Sequence, residues 1–211
     1  MRGGRYAVRA HVVHPMPDAI ASLAGDVARR LRTSLDELAT ALAGSPTTFP
    51  IFESLALFAQ RARKPIARML DEAQATLEEL QPYHAIGGFR NGALWTLAQV
   101  DAMQPARLAA GGVLDGGAMG VNTQRAVTIV GEPAIVTGAF TDGAVIASAA
   151  TRIVGPDPKL DMFLRVDHAL AYAPEGAGLG QPVVALLSEL CDHVEHTVFA
   201  SLEPSLPSLS S

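Results

Sequence analysis

Cysteine is nearly absent, with Cys191 standing alone among 211 residues. A single thiol excludes a disulfide framework and any structural zinc site built on several cysteines. Lysine is almost as scarce: only Lys64 and Lys159 occur. Positive charge therefore rests on arginine, whose planar fork suits bidentate anion recognition. No apolar run reaches the roughly 18 residues a membrane helix needs, and the N-terminus lacks the apolar segment of a secretion signal. The expectation is a soluble cytoplasmic protein without a membrane partner. Charged residues make up only 18% and hydrophobic ones 49%, which excludes a disordered chain. The net charge of -5 weighs against a broad nucleic-acid-binding face, so nucleic acid is not the expected partner. There is no Walker loop, nucleophile elbow or His-Glu-x-x-His. No cofactor is expected.

What is there divides by composition. Residues 1–110 carry 12 Lys+Arg against 10 Asp+Glu, and residues 111–211 carry 4 against 11. The first half also has the helical periodicity. Residues 5–13 alternate Tyr6, Val8, Ala10 and Val12 with Arg5, Arg9 and His11, the period of a half-buried strand. Asp18 then caps a helix that Gly44-Ser-Pro46 stops. Its stripe of Ile20, Leu23, Ala24, Val27, Leu31, Leu35, Leu38 and Leu42 faces a core. Asp26 with Arg30, and Arg32 with Asp36, stand four apart and can pair. An irregular aromatic link, Thr47-Thr-Phe-Pro-Ile-Phe52, precedes a short helix over 54–63. A second helix is expected from Pro65 to Leu80, with Ile66, Met69, Leu70, Ala73, Leu77 and Leu80 inward. A further helix runs from Asn91 to about Met103. These helices look like one bundle.

The Gly-rich run 111–117 reads as a flexible connector. Beyond it, short β-branched runs at 126–130, 134–138, 144–147 and 152–154 precede the clearest alternation, Leu160 to Tyr172, and together predict a small antiparallel sheet. A last helix spans 182–201. The fold class is thus α+β: an N-terminal strand and helical bundle, a small antiparallel sheet and a C-terminal helix. The reading is a single domain over 1–203 (18–107 mainly helical, 111–172 mainly β, 182–201 helix), with 204–211 a disordered tail.

The motif order resembles a family of uncharacterised bacterial proteins. Its members begin with a strand and continue Gly-Asp-x-x-His-Asn-Leu-Arg-Ser-Ala-Leu-Asp-His-Leu, Phe-Pro-Ile-Phe, Leu-Gln-Pro-Tyr and Leu-Trp-x-Leu-x-x-Leu-Asp-Asn-x-Asp-Lys-His-Arg. The matching stretches here are Gly25-Asp26 through Arg32, Asp36 and Leu38, then Phe49-Pro-Ile-Phe52, Leu80-Gln-Pro-Tyr83, and Leu94-Trp95 through Asp101 to Arg107. Both histidines of the first motif are replaced, by Arg29 and Glu37, and Gln104-Pro-Ala106 stands where Asp-Lys-His is expected. The family's Arg-x4-His is similar to the active-site signature of HEPN ribonucleases. The resemblance implies that this chain has lost the imidazole acid–base at position 37, leaving a carboxylate there.

Candidate catalytic residues are Glu37, Asp36 and Asp101, which converge if the first and fourth helices pack. Candidate substrate-binding residues are Arg32, Tyr83, Trp95, Phe52 and His168. The aromatics among them suit an apolar pocket with the Tyr83 hydroxyl and Trp95 indole as polar handles. Each has a competing structural explanation: a salt-bridge network, ordinary core packing, or a core histidine. His193 and His196 have a metal-compatible spacing but no third ligand, so no metal is expected. The leading expectation is binding of a small, largely apolar molecule in a pocket between bundle and sheet, with its transformation left open. Two alternatives are a degenerate HEPN-like RNA-binding or toxin–antitoxin-type protein without ribonuclease activity, and a homo-oligomeric interaction protein.

Overall fold

The computed structural model describes residues 2–13, 17–103, 108, 113–124, 127–132, 134–136, 138–153, 159–172 and 180–207. It is α+β, with an N-terminal strand, helices, antiparallel strands and a C-terminal helix in that order. The chain divides into two units, Met1–Pro17 with Leu108–Val183 and Asp18–Arg107 with Val184–Ser211.

In the first unit, β1 (Arg2–Arg9) pairs antiparallel with the long strand β6 (Val145–Ile153), from Arg2 opposite Ile153 to Arg9 opposite Val145. Two short strands, β3 (Val127–Ile129) and β4 (Ala134–Ile135), also pair with β6. The predicted strand over 5–13 therefore begins and ends earlier. Ala10 still exchanges backbone bonds with Gly143 and Ala144, at 2.9 Å each, and a side chain holds the chain beyond it: the Val12 N–H donates to Asp142 Oδ1 at 2.8 Å, and His11 Nδ1 lies 3.1 Å from the same oxygen. The Val12 bond, with help from His11, holds the Asp142 carboxyl below its ordinary range.

A second sheet has the order β5-β2-β7, with β2 (Val113–Gln124) between β5 (Gly138–Ala139) and β7 (Lys159–Ala169). The connector expected over 111–117 is corrected from Val113 onward, where the chain is already a strand. Its glycines forgo side-chain packing, but β7 pairs along it as far as Gln124 opposite Lys159. The register shifts between Leu114 and Gly116, the kind of irregularity that glycine inside a strand marks.

In the second unit, α1 (Asp18–Ala43) has the bounds that its cap and stop signals predict. Its buried face is Ala24, Ala28, Leu35, Leu38, Ala39 and Leu42, whereas Leu23 is exposed. α2 (Leu55–Arg61) begins at Ser54, whose hydroxyl accepts from the Leu57 N–H. The helix expected from Pro65 to Leu80 is two: α3 (Arg63–Ile66) and α4 (Asp71–Glu79). Leu70 separates them with extended angles, φ -59° and ψ 147°, and its side chain is exposed. Gln74 stabilises the break by donating from Nε2 to the Met69 carbonyl at 2.9 Å, and Asp71 and Glu72 suit a new first turn.

α5 (Ala93–Ala102) packs against α1. The last helix, α6 (Val183–His193), continues through a π-helical stretch, Val194–Phe199. Leu186, Leu190, Val194, Val198 and Leu202 of this end of the chain are buried. Residues 204–211, read as a tail, start inside a 3-10 turn at Glu203–Ser205, and 208–211 lie outside the described residues. Among the described residues no helix is long and apolar enough to cross a membrane.

Candidate functional site

The site is built on the segment between α1 and α2. Gly44 takes φ +63°, a left-handed turn that reverses the chain at the end of α1. Residues 45–52 then run back along the helix without secondary structure of their own. An irregular backbone needs partners for its polar groups, and here side chains supply them. Thr40 Oγ1 accepts from the Thr47 N–H at 3.1 Å, and the Thr47 carbonyl lies 3.2 Å from the same hydroxyl. Asp36 Oδ1 accepts from the Phe49 N–H at 2.8 Å, and Arg32 Nη2 donates to the Phe49 carbonyl at 2.8 Å.

The spacing explains the match. Arg32, Asp36 and Thr40 are four apart on α1, about 6 Å per step of helix. From Thr47 to Phe49 an extended chain covers about 6.6 Å. One step of the helix therefore meets two residues of the strap.

At its far end the strap is held by Gln81, which is only 2% exposed. Its Nε2 donates to the carbonyls of Pro50 and Leu77 at 2.9 Å each, and its Oε1 accepts from the Phe52 N–H at 3.0 Å. The Leu77 carbonyl belongs to the last turn of α4, where carbonyls lack helical partners. One amide thus closes a helix end and fixes the strap.

Facing the strap is the surface of α2 and α3. Phe58, Ala62, Ile66 and Met69 are its buried side. Arg61, Lys64 and Arg68, spaced by three and four, are exposed on the other. The strap and this cationic row enclose a groove of about 670 Å³ within the helical unit, also lined by Arg32 and by no carboxylate. That volume suits a small organic ligand. Arg32 Nη2 lies 3.2 Å from Asp36 Oδ1, but Nη1 is buried and has no hydrogen-bond partner among the described residues. Arg61, Lys64 and Arg68 take part in no ion pair among the described residues, where the pairs are His11–Asp142, Arg29–Asp26 and Arg32–Asp36. Among the described residues the row is thus a cationic face without a paired counter-charge. The expected pairing of Asp26 with Arg30 gives way to Asp26 with Arg29 at 3.6 Å, an exposed contact worth no more than about 0.5 kcal/mol.

No protein-family model matches the chain, and neither a curated protein nor a solved structure is similar enough to it to match.

Of the residues singled out from sequence, the groove gathers Arg32 and Phe52, with Asp36 directly behind Arg32. Asp36 spends its acceptor on the strap, so it is a positioning group for Phe49. Glu37, next along α1, is exposed. Asp101 sits half-buried in the last turn of α5 and joins no ion pair among the described residues. The three carboxylates are therefore given different surroundings, although α1 and α5 do pack. Arg107 lies outside the described residues.

Phe52 and Tyr83 both meet Phe58 edge-on, with ring centroids 6.3 and 6.5 Å away, and Tyr83 also lies against His84. Trp95 is outside the groove lining, edge-on to Phe89 at 5.8 Å. His168 stands opposite Leu114 on β7, in the strand unit. Among the described residues no group of three or more His, Cys, Asp or Glu is placed to hold a metal ion. His193 is half-buried, which pushes its pKa down against the charge of Glu189, and His196 is exposed.

The Tyr83 hydroxyl is buried with no hydrogen-bond partner among the described residues. Burial first, and the charge of Glu78 second, push its pKa up. Tyr83→Phe removes an unpaired polar group and keeps the ring. Its melting temperature should match or exceed the wild type, by up to about 1 kcal/mol of stability. A clear fall would mean that the hydroxyl has a partner worth keeping.

Sequence reasoning missed Gln81, Thr40 and the row Arg61, Lys64 and Arg68. The signals were available. Arg61-Ala-Arg-Lys-Pro-Ile-Ala-Arg68 carries four cations in eight residues and no carboxylate, and Thr40 continues the four-residue spacing of Arg32 and Asp36.

Proposed function

We propose that the helical unit binds a small molecule with an apolar body and an anionic end. The observation that carries this reading is the groove, where four cations and no carboxylate face the strap that contains Phe49, Ile51 and Phe52. The sequence expectation of a largely apolar ligand is sharpened by that charge: an apolar body can lie along the strap, and an anion answers the row. The lining presents cations and hydroxyls but no imidazole, thiol or carboxylate, so binding is the role its chemistry supports. The same cations would favour an RNA-binding reading of the HEPN-like kind, but the small volume and the apolar strap favour the small molecule.

The test compares benzoate, benzyl alcohol and benzylamine, which share a ring and differ in charge. Near-saturating benzoate should raise the melting temperature by about 3–6 °C, the effect of ligand at about ten times its Kd on a protein of this size. The alcohol and the amine should have little effect. The double variant Arg61→Gln/Arg68→Gln, which alters exposed side chains only, should melt like the wild type and lose the response to benzoate. Equal responses to all three compounds, or none to benzoate, would refute the reading.

A further inference from the structure

We infer that the anionic end of the ligand is a phosphate monoester dianion and not a carboxylate. The inference rests on the binding reading above and concerns the number of cations. Arg61 at the end of α2, Lys64 in α3 and Arg68 just beyond α3 line the same groove at spacings of three and four, with no carboxylate paired to any of them among the described residues. Like charges at such spacings repel, so the row carries an electrostatic cost in the free protein. Across the groove, Arg32 is half satisfied: Nη2 is engaged by Phe49 and Asp36, and the buried Nη1 has no partner among the described residues.

A carboxylate carries one charge and two oxygens, and a single arginine fork can saturate it. It would leave the rest of this row uncompensated. A phosphate monoester brings close to two charges and three strongly accepting oxygens at neutral pH, which matches the several cationic side chains that line this groove. The aliphatic stems of Arg61, Lys64 and Arg68 can line the groove while their charged ends meet the phosphate. The apolar remainder of the ligand then lies along the strap that Gln81 and α1 hold in place.

Isothermal titration of the full chain with phenyl phosphate and benzoate at pH 8 separates the two anions. Phenyl phosphate should bind about tenfold tighter or more, the effect of adding charge-assisted hydrogen bonds of about 1.4 kcal/mol in total. Arg61→Gln/Arg68→Gln should remove most of that advantage. The second proton of a phosphate monoester binds with a pKa near 6, so affinity for phenyl phosphate should fall severalfold at pH 5 while that for benzoate holds. Equal affinity for the two anions, or an affinity for phenyl phosphate unchanged at pH 5, would overturn the phosphate assignment and leave anion binding standing. If neither compound binds, the binding reading itself fails. Displacement of phenyl phosphate by a short single-stranded RNA at far lower concentration would overturn the small-molecule assignment in favour of a nucleic-acid phosphate.

Discussion

Phe49→Ala should lower the free energy of unfolding by about 3–5 kcal/mol, the cost of emptying a fully buried aromatic site. Phe49 is 1% exposed although it lies in a segment with no regular structure. Its burial is enforced from both sides of the peptide, because Asp36 takes its N–H and Arg32 its carbonyl. The ring cannot be traded for a neighbour without breaking those bonds, so relaxation into the cavity is restricted. Urea denaturation of purified wild type and variant measures the difference. A loss below about 1 kcal/mol, the scale of an ordinary surface or partly exposed change, would show that the strap does not anchor the helical unit. The same variant should lose the groove's response to benzoate even where it remains folded, because the strap forms one wall.

Gln81→Leu should cost about 3 kcal/mol or more with almost no change in side-chain size. Leucine cannot donate to the carbonyls of Pro50 and Leu77 or accept from the Phe52 N–H. Each buried group left unsatisfied costs about 1–3 kcal/mol. An apolar residue at a buried position would ordinarily be neutral or favourable, so the sign of this change separates the hydrogen-bond account from simple packing. Gln81→Glu should not rescue it, since a carboxylate has no N–H for the two carbonyls. If Gln81→Leu melts at the wild-type temperature, the strap is held by its apolar contacts and the amide is incidental.

Local signals were legible. Gly44-Ser-Pro46 ends α1 as expected, and Asp18, read as its cap, is the first residue of its first turn, because chain reversal and a first-turn acid depend on one or two residues. The strand alternation from Leu160 becomes β7 because a period of two needs only one buried face. Errors arose where two local solutions compete. The stripe from Pro65 to Leu80 has a helical period, but Leu70 is extended, since Asp71 and Glu72 begin a helix well and Gln74 bonds back to Met69. The glycines of β2 resemble a linker in isolation, and only pairing with β7 makes them a strand. The candidate site divided in the same way. Arg32, Asp36 and Phe52 were identifiable by residue type and spacing, whereas Gln81 was visible only as one position of the Leu80-Gln-Pro-Tyr83 motif, with nothing to show what its amide holds.

The sequence by itself determined the α+β class, the ends of the long first helix and the four-residue spacing of Arg32, Asp36 and Thr40, because all of these depend on neighbours a few positions away. Only the tertiary structure decided what that spacing holds. Whether Asp36 meets an acid on α5 or the backbone of Phe49, and whether Arg61, Lys64 and Arg68 face solvent alone or a groove, depends on a chain reversal and on hydrogen bonds across as many as 31 residues, as from Gln81 to Pro50. Contacts of that range are selected by which buried polar groups would otherwise go unpaired, a condition on the folded chain as a whole.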